Sequence, residues 1–258
     1  SQTRGVVWWP IRDERTGRSA RRTTTSPGRA EHHDACAAGR VRPIRVGRVN
    51  RVLVIAAHPA ETAQLPPEAD VVLTGIGMSR AAAVTARAVL ERAPSPAERR
   101  GLRVVNLGSC GGLRPGLSGV CEPSEILNRD VDAELMRAMG SDPDDLIRLS
   151  ELGQTGDGSV LATGDSLVAG GPVRDALAER AHLVDMEGFA VATACRELGV
   201  SLRMAKHVSD DADSQAPEWL ERVQISAREL AAWYRAHHHE LVSGAPADAA
   251  SNRPEDEA

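Results

Sequence analysis

The sequence Leu183-Val-Asp-Met-Glu-Gly-Phe189 opens the segment that decides the fold. It begins as a short apolar run and contains two carboxylates separated by one residue. Apolar side chains then recur at helical spacing as far as Leu198, and a second apolar run, Val200 to Val208, follows that predicted helix. The pattern predicts a strand, a helix and a second strand in a crossover, with Glu187 and Asp210 at the exits of the two strands.

Glu187 and Asp210 are therefore expected to lie together at one edge of a sheet, where ligands bind in folds of this kind. Lys206 is close to Asp210 in sequence and is the only lysine of the chain. A competing interpretation treats both acids as ordinary loop residues or helix N-caps, positions in which Asp and Glu are common. Their positions alone do not decide between the two interpretations.

A chain of 258 residues is long enough for one large α/β domain or two small ones. Its single Phe, single Tyr and four Trp leave Ala, Val, Leu and Ile to build the core. The four cysteines lack the spacing of a metal site or a disulfide framework, which is typical of reduced thiols in a cytoplasmic protein. No apolar run approaches the roughly 18 residues that a membrane span needs, so we expect no membrane partner.

Charge is unevenly distributed along the chain. Residues 1–51 carry twelve arginines and four acids, a net charge of +8, and the remainder carries 19 basic and 32 acidic residues, a net charge of −13. An acidic body argues against nucleic acid as a partner. For residues 1–48 three interpretations remain open, namely a disordered basic arm, a mitochondrial-type presequence, or translated sequence upstream of the true start. We expect a disordered or artefactual extension there, and a disordered tail over 244–258.

Apolar strands alternate with helices between residues 49 and 243. Besides the two strands described above, strands are predicted at 51–57, 70–74, 102–107, 119–127 and 159–163. Helices are predicted at 81–92, 172–182 and 217–242. A glycine-rich turn, Gly108-Ser-Cys-Gly-Gly112, is expected after the third of the strands along the chain. The alternation predicts a single three-layer α/β domain over 49–243.

Six short segments together resemble the purine nucleoside phosphorylase and nucleosidase superfamily, and within it the 5′-methylthioadenosine/S-adenosylhomocysteine nucleosidases. In chain order they are Ile55-Ala-Ala-His-Pro-Ala-Glu61, Thr74-Gly-Ile-Gly77, Val105-Asn-Leu-Gly-Ser-Cys-Gly-Gly112, Ala162-Thr-Gly-Asp165, Val184-Asp-Met-Glu187 and Val208-Ser-Asp210. The resemblance implies an α/β/α domain with a central mixed sheet. It also implies cleavage of a purine N-glycosidic bond through an oxocarbenium-like ribosyl cation.

The resemblance assigns roles to individual side chains. Asp210 would be the acid that protonates N7 of the leaving base, a role for which burial must keep the carboxyl group protonated. Glu187 would accept hydrogen bonds from both ribose hydroxyls. Glu61 would orient and deprotonate the attacking water, with Ser109 beside it. Lys206 stands where the nucleosidases usually have arginine, and it would order Glu61 and the water without the planar fork of a guanidinium.

Substrate contacts are implied for a further set of residues, which is Gly111, Leu167, Val168, Asp185, Met186 and Phe189. Met186 would pack beneath the sugar. Leu167 replaces the aromatic residue that the family places against the base, and Phe189 is either its substitute or a core side chain. The segment Asn128-Arg-Asp130 also departs from the family pattern. The connection between the first two strands is shorter than in the family, so we expect a trimmed or open 5′ pocket.

Hydrolysis and phosphorolysis differ at one position of the pattern. Hexameric phosphorylases of the superfamily carry arginine just before the glycine-rich turn to bind phosphate, whereas this strand has Asn106, as the nucleosidases do. We therefore expect hydrolysis, with a phosphate-dependent phosphorylase as the alternative and a non-catalytic nucleoside-binding domain as a third possibility. The expected protein is a cytoplasmic homodimer that takes a nucleoside and water and uses no metal or other cofactor.

Overall fold

The computed structural model describes residues 51–213 and 219–243, apart from the side chains of residues 220 and 221. These residues all belong to one compact unit of the chain, Val46–Ala258. The predicted basic extension over 1–48, which includes Cys36, and the predicted tail over 244–258 lie outside the described residues.

Strands and helices alternate through the described residues. The strands are β1 (Arg51–Ala56), β2 (Val71–Leu73), β3 (Leu102–Gly112), β4 (Val120–Cys121), β5 (Glu125–Asn128), β6 (Leu146–Arg148), β7 (Val160–Thr163), β8 (Leu183–Asp185) and β9 (Ser201–Asp210). The helices are α1 (Met78–Arg92), α2 (Pro96–Arg99), α3 (Ala133–Ala138), α4 (Gly171–Arg180), α5 (Gly188–Leu198) and α6 (Trp219–Ser243). Short 3-10 turns cover Pro59–Thr62 and Leu149–Leu152.

Parallel and antiparallel strands share one sheet, which confirms the predicted mixed α/β architecture. Its strand order is β2-β1-β3-β8-β7-β5-β6, and β9 pairs with both β3 and β4. β1 runs parallel to β2 and β3, and β3 runs parallel to β9, whereas β8 runs antiparallel to β3. Near its carboxyl end, β3 therefore has β8 on one side and β9 on the other.

Alternate residues of the central strands face two separate cores, because successive side chains of a strand point to opposite faces of the sheet. Ile55 of β1 packs in a core that includes Val89 of α1 and Val191 of α5. Its neighbour Val54 packs in a second core with Leu230 of α6. Helices α1 and α5 thus cover one face and α6 the other, which gives the three predicted layers.

Three local predictions were wrong. Gly108–Gly112 is not a turn but the continuation of β3, because its backbone pairs with β9 and, at the last two residues, with β8. β8 also runs antiparallel to β3 and therefore to β9, so α5 does not join two parallel strands, as the predicted crossover implied. The predicted strand over 119–127 is two short strands, since Pro123 between them lacks the N–H that a continuous ladder needs.

Candidate active site

A cavity of about 380 Å³ opens where β3, β8 and β9 meet. The predicted site residues that line it are Glu61, Ser109, Gly111, Leu167, Val168, Asp185, Met186, Glu187 and Asp210. The sheet accounts for this gathering, because Gly111 of β3 pairs with Val184 of β8 on one side and with Asp210 of β9 on the other. Lys206 and Phe189 are not among the lining residues.

Two glycines of β3 leave the space that the site occupies. A Cβ at Gly111 would lie 2.8 Å from the Cβ of Ala212 and 3.2 Å from Oδ1 of Asp210. A Cβ at Gly108 would lie 3.2 Å from Nζ of Lys206 and 3.4 Å from Oε1 of Glu61. Glycine at these positions therefore lets the charged groups approach the strand backbone closely.

Glu61 enters the cavity from the 3-10 turn that follows β1. His58 caps this turn, since its ring Nδ1 accepts from the backbone N–H of Ala60 (3.2 Å) and its own backbone N–H donates to Oε2 of Glu61 (3.0 Å). Ser109 donates to the other oxygen, Oε1, from its backbone N–H (2.8 Å) and from its hydroxyl (2.9 Å). Glu61 is only 4% exposed, so three donors hold a buried carboxylate in one orientation.

The lone lysine lies beside the cavity in a buried ion pair. Nζ of Lys206 is 2.8 Å from Oδ2 of Asp185, and the two side chains are 2% and 1% exposed. Asp185 also accepts from the hydroxyl of Thr163 (2.6 Å) and from the backbone N–H of Gly188 (2.9 Å). Burial lowers the pKa of Lys206, but the neighbouring carboxylates, that of Asp185 first, outweigh burial and leave the pKa raised. The ammonium group is therefore charged.

Glu187 is a buried acid that follows β8 and precedes the first turn of α5. Its Oε1 accepts from the backbone N–H of Gly77 (2.8 Å), at the start of α1. Burial, followed by the charge of Asp185, raises the pKa of Glu187 to about 7, against the opposing effects of Lys206 and the Gly77 N–H. Both protonation states of Glu187 are thus populated near neutral pH, and hydroxyl groups that donate to the carboxylate would favour the charged state.

Asp210 is the last residue of β9 and is partly exposed to the cavity. Its Oδ1 accepts from the backbone N–H of Ala212 (2.9 Å), and its Oδ2 lies 2.6 Å from the hydroxyl oxygen of Ser209. That hydroxyl also lies 3.3 Å from the carbonyl oxygen of Cys110. Because serine has one proton, it can donate to an ionised Asp210, or turn to Cys110 and accept from a protonated Asp210. Either protonation state of Asp210 is thus accommodated.

The apolar side of the cavity is formed by side chains of different exposure. Val168 is 5% exposed, whereas Leu167 is 59% exposed and lies at the rim. Phe189 packs in the core beside Val191 and does not line the cavity. The prediction that Phe189 contacts the substrate is therefore not supported, because α5 turns this side chain toward the apolar core.

Arg129 gives a physical account of the segment Asn128-Arg-Asp130, which departs from the family pattern. Its guanidinium donates to the carbonyl of Gly164 (3.0 Å), to the hydroxyl of Ser166 (3.0 Å) and to the carbonyl of Ser166. Asp130 accepts from the backbone N–H of Asp165 (2.7 Å). The two side chains fix the loop that leads into the apolar side of the cavity.

Trp219 is the residue with the clearest site contacts that sequence reasoning missed. It lines the cavity at the start of α6, and its indole N–H donates to the hydroxyl oxygen of Ser109 (2.6 Å). Its ring meets the ring of His58 edge to face, with 5.2 Å between the centroids. The available signal was a tryptophan at the start of a predicted helix, in a chain with few aromatic residues.

Together, the sheet and the cavity define a three-layer α/β protein with a carboxylate-lined pocket at the ends of its strands. Residues 29–236 match the sequence model of the phosphorylase superfamily. The chain belongs to this superfamily, as its six motifs predicted.

Solved structures confirm the nucleoside phosphorylase-like fold. The 5′-methylthioadenosine/S-adenosylhomocysteine nucleosidase of Helicobacter pylori is 22% identical, with a TM-score of 0.62 over 75% of this chain and 99% of that one. The futalosine hydrolase of Helicobacter pylori is 20% identical, with a TM-score of 0.61 over 75% and 99%. The nucleosidase of Colwellia psychrerythraea, solved in complex with adenine, is 22% identical, with a TM-score of 0.61 over 76% and 97%.

No curated protein sequence matches the chain. Within residues 51–213 and 219–243, no helix is long and apolar enough to cross a membrane. The same residues contain no group of three or more His, Cys, Asp or Glu side chains placed to hold a metal ion.

Proposed function

We propose that the protein is a purine nucleosidase, which hydrolyses the N-glycosidic bond of 5′-methylthioadenosine, S-adenosylhomocysteine or a related nucleoside. The observation that carries the proposal is the convergence of Glu61, Glu187 and Asp210 on one cavity. Their surroundings differ, as the separate roles of base, hydroxyl binder and acid require. Membership of the phosphorylase superfamily supports the same function.

In the proposed reaction the bond between the anomeric carbon and N9 breaks, and its electron pair passes to the base. Asp210 donates a proton to N7 of the leaving base, while Glu187 accepts hydrogen bonds from the ribose hydroxyls. Water then adds to the ribosyl cation and gives a proton to Glu61. The products are the free base and the ribose derivative, and the two proton transfers balance.

The charge of the cavity favours water over phosphate as the second substrate. Among the described residues, Glu61 and Glu187 line the cavity and no arginine or lysine does, so the lining offers a phosphate dianion no cation to bind. At the position where phosphorylases carry arginine, Asn106 is 2% exposed and donates through Nδ2 to the carbonyl of Ile55 (3.0 Å). This residue serves the sheet, by joining β3 to β1.

Lys206 takes part through Asp185 in the proposed site. The charge of Lys206 acts on Glu187 and Glu61 as well as on Asp185, and its ammonium and Glu61 both lie close to the backbone of Gly108. We expect the positive charge to hold the site carboxylates together and to stabilise their ionised forms. A single ammonium supplies this charge without the directional fork that arginine would bring.

The function is tested by release of free base from 5′-methylthioadenosine, S-adenosylhomocysteine, adenosine, inosine and futalosine, each with and without phosphate. Futalosine is included because a futalosine hydrolase shares the fold. We expect release that does not depend on phosphate. Release only with phosphate would instead show a phosphorylase, and binding without any release would show a nucleoside-binding domain.

Asp210→Asn tests the proposed acid. The amide keeps the size of the side chain and can form a hydrogen bond, but it cannot transfer a proton to N7. We expect base release to fall by at least about 100-fold, the usual scale of general acid catalysis. Asp211→Asn is the matched control, since Asp211 is exposed and adjacent in sequence. Turnover of Asp210→Asn within a few-fold of wild type would show that another group protonates the base.

A homodimer, which the resemblance implies, and a cytoplasmic location, which the cysteine pattern favours, also remain part of the proposal. Sedimentation of the full chain with and without a nucleoside would measure its mass in solution. If the full chain sediments as a monomer and still releases free base, a second subunit is not needed for activity.

A further inference from the structure

Trp219 contacts both residues that hold Glu61. Its indole N–H donates to the hydroxyl oxygen of Ser109 (2.6 Å), and its ring meets the ring of His58 at an angle of 84°. Ser109 donates twice to Oε1 of Glu61, and the backbone N–H of His58 donates to Oε2. One side chain from α6 thus contacts both residues that donate hydrogen bonds to Glu61.

The indole hydrogen bond decides the direction of the next one. An indole N–H is a donor only, so Ser109 must accept from Trp219 with an oxygen lone pair. The single hydroxyl proton of Ser109 is then free to point to Oε1 of Glu61, 2.9 Å away. A chain of hydrogen bonds runs from indole to serine to carboxylate, and each bond strengthens the next.

The occupied lone pairs indicate where a proton can be received. A carboxylate oxygen has about two lone-pair sites. Within the described residues, Oε1 of Glu61 accepts from two groups of Ser109, and Oε2 accepts from the backbone of His58. The remaining site on Oε2 is the one available to a water molecule in the cavity.

We propose that Trp219 is a positioning residue for the hydrolytic step. It acts through Ser109, by fixing the hydroxyl proton on Oε1 of Glu61 and so leaving Oε2 to receive the proton of the attacking water. This inference rests on the proposed function, in which Glu61 is the base. It adds to that function a residue on α6 that controls the orientation of the base.

The test is a double-variant cycle of Trp219→Phe and Ser109→Ala. Phenylalanine keeps an aromatic ring against His58 but lacks the N–H. We expect Trp219→Phe to lower kcat about fivefold, the effect of one lost hydrogen bond, with KM within about twofold of wild type. In the Ser109→Ala background the same change should lower kcat by less than about twofold, because its target is gone.

Trp233→Phe is the matched control. Trp233 is also on α6, and its indole N–H donates to Oε1 of Glu122 (3.0 Å), away from the cavity lining. We expect its kcat and KM to equal those of the wild type. An equal fall of kcat for Trp219→Phe with and without Ser109 would overturn the inference, and so would a rise in KM alone, which would make Trp219 a substrate contact.

A measurement without substrate tests the contact itself. The indole ¹⁵N–H resonance of Trp219, assigned by its loss in Trp219→Phe, should shift in Ser109→Ala, and an unmoved resonance would overturn the inference. The proposed function fails separately, if the wild-type protein releases no free base from any of the nucleosides, whereas turnover retained by Glu61→Gln would remove the role of Glu61 as the base. If Glu61→Gln is inactive and the effects of Trp219→Phe and Ser109→Ala simply add, the proposed function stands and only the role of Trp219 is removed.

Discussion

Glu61 and Glu187 are two buried glutamates of the same cavity, and their surroundings are opposite. Glu61 accepts three hydrogen bonds from backbone and serine groups, whereas Glu187 accepts one, from Gly77, within the described residues. Burial raises the pKa of Glu187 to about 7. A carboxylate held on both oxygens is fixed in orientation, while one with free lone pairs in a buried site gains most from a ligand that donates to it.

The comparison suggests a division of tasks that is independent of which nucleoside binds. In the proposed function, Glu61 acts on one water molecule and is oriented before the substrate arrives. Glu187, proposed to hold ribose, would gain its missing hydrogen bonds from the hydroxyl groups of the substrate. Four predictions can break or sharpen this contrast.

Glu61→Gln should have the largest effect, because the amide cannot take a proton from water at neutral pH. We expect single-turnover base release to fall by about 10³-fold or more. Binding of the nucleoside, measured by calorimetry, should stay within about threefold of wild type. Glu91→Gln, an exposed change on α1, is the control. Loss of binding in Glu61→Gln would show that both glutamates hold the ligand, and the contrast would fail.

Lys206→Met should destabilise the protein by about 3 kcal/mol or more in urea unfolding, because it leaves the charge of Asp185 buried without its cation. The double variant Lys206→Met, Asp185→Asn removes both charges and should recover most of this loss. A double variant that is no more stable than the single one would show that the stem of the lysine, and not its charge, supports the site.

Glu187→Gln should act on substrate capture. In the wild type we expect kcat/KM to rise with pH as Glu187 ionises near its pKa of about 7, since the charged form is the better acceptor for ribose hydroxyls. The variant should lose about 50-fold in kcat/KM at pH 8, mostly through KM, and should lack this rise. A fall in kcat with an unchanged KM would place Glu187 in the chemical step.

The smallest expected effect is the pH dependence that Glu187 gives to the stability of the folded protein. The pKa of Glu187 is raised above its ordinary value of 4.5, so between pH 4.5 and about 7 the folded protein keeps a proton that the unfolded chain has lost. The neutral form of Glu187 therefore stabilises the fold at low pH, and this contribution is lost as pH rises through about 7. Glutamine stays neutral, so in urea unfolding the stability of Glu187→Gln should rise relative to that of the wild type as pH rises from 4.5 to 8, and a difference that does not change with pH would contradict the raised pKa.

The sequence predicted that the acids lie together, because each acid belongs to a short motif at the end of a predicted strand. Glu187 and Asp210 follow apolar runs, as predicted, but β8 is antiparallel to β9, and the two acids meet because Gly111 of β3 pairs with Val184 on one side and with Asp210 on the other. The position of β3 between β8 and β9 could not be predicted, since strand order depends on long-range pairing that local pattern does not contain. Gly108 and Gly111, which suggested a turn, lie in β3 and let charged groups approach its backbone closely.

The direction of individual side chains was the second feature that could not be predicted from the sequence. Phe189 lies one position from a helix start, and only the packing of α5 shows that it faces the core. Trp219 is far in sequence from Glu61, so its contact with Ser109 depends on how α6 crosses the sheet. The pairing of Lys206 with Asp185 likewise required the register of β9, although the rarity of lysine in the chain singled out Lys206 beforehand.

Gly108 has a consequence for how this protein can change over evolutionary time. Every replacement of this glycine by another amino acid adds a Cβ, which at this position would lie 3.2 Å from Nζ of Lys206. The smallest genetic step at Gly108 is thus already a step against the charged groups of the cavity. Leu167 is exposed at the rim of the cavity, so larger and smaller side chains fit there, and we expect new ligand preferences to arise at the rim while Gly108 stays unchanged.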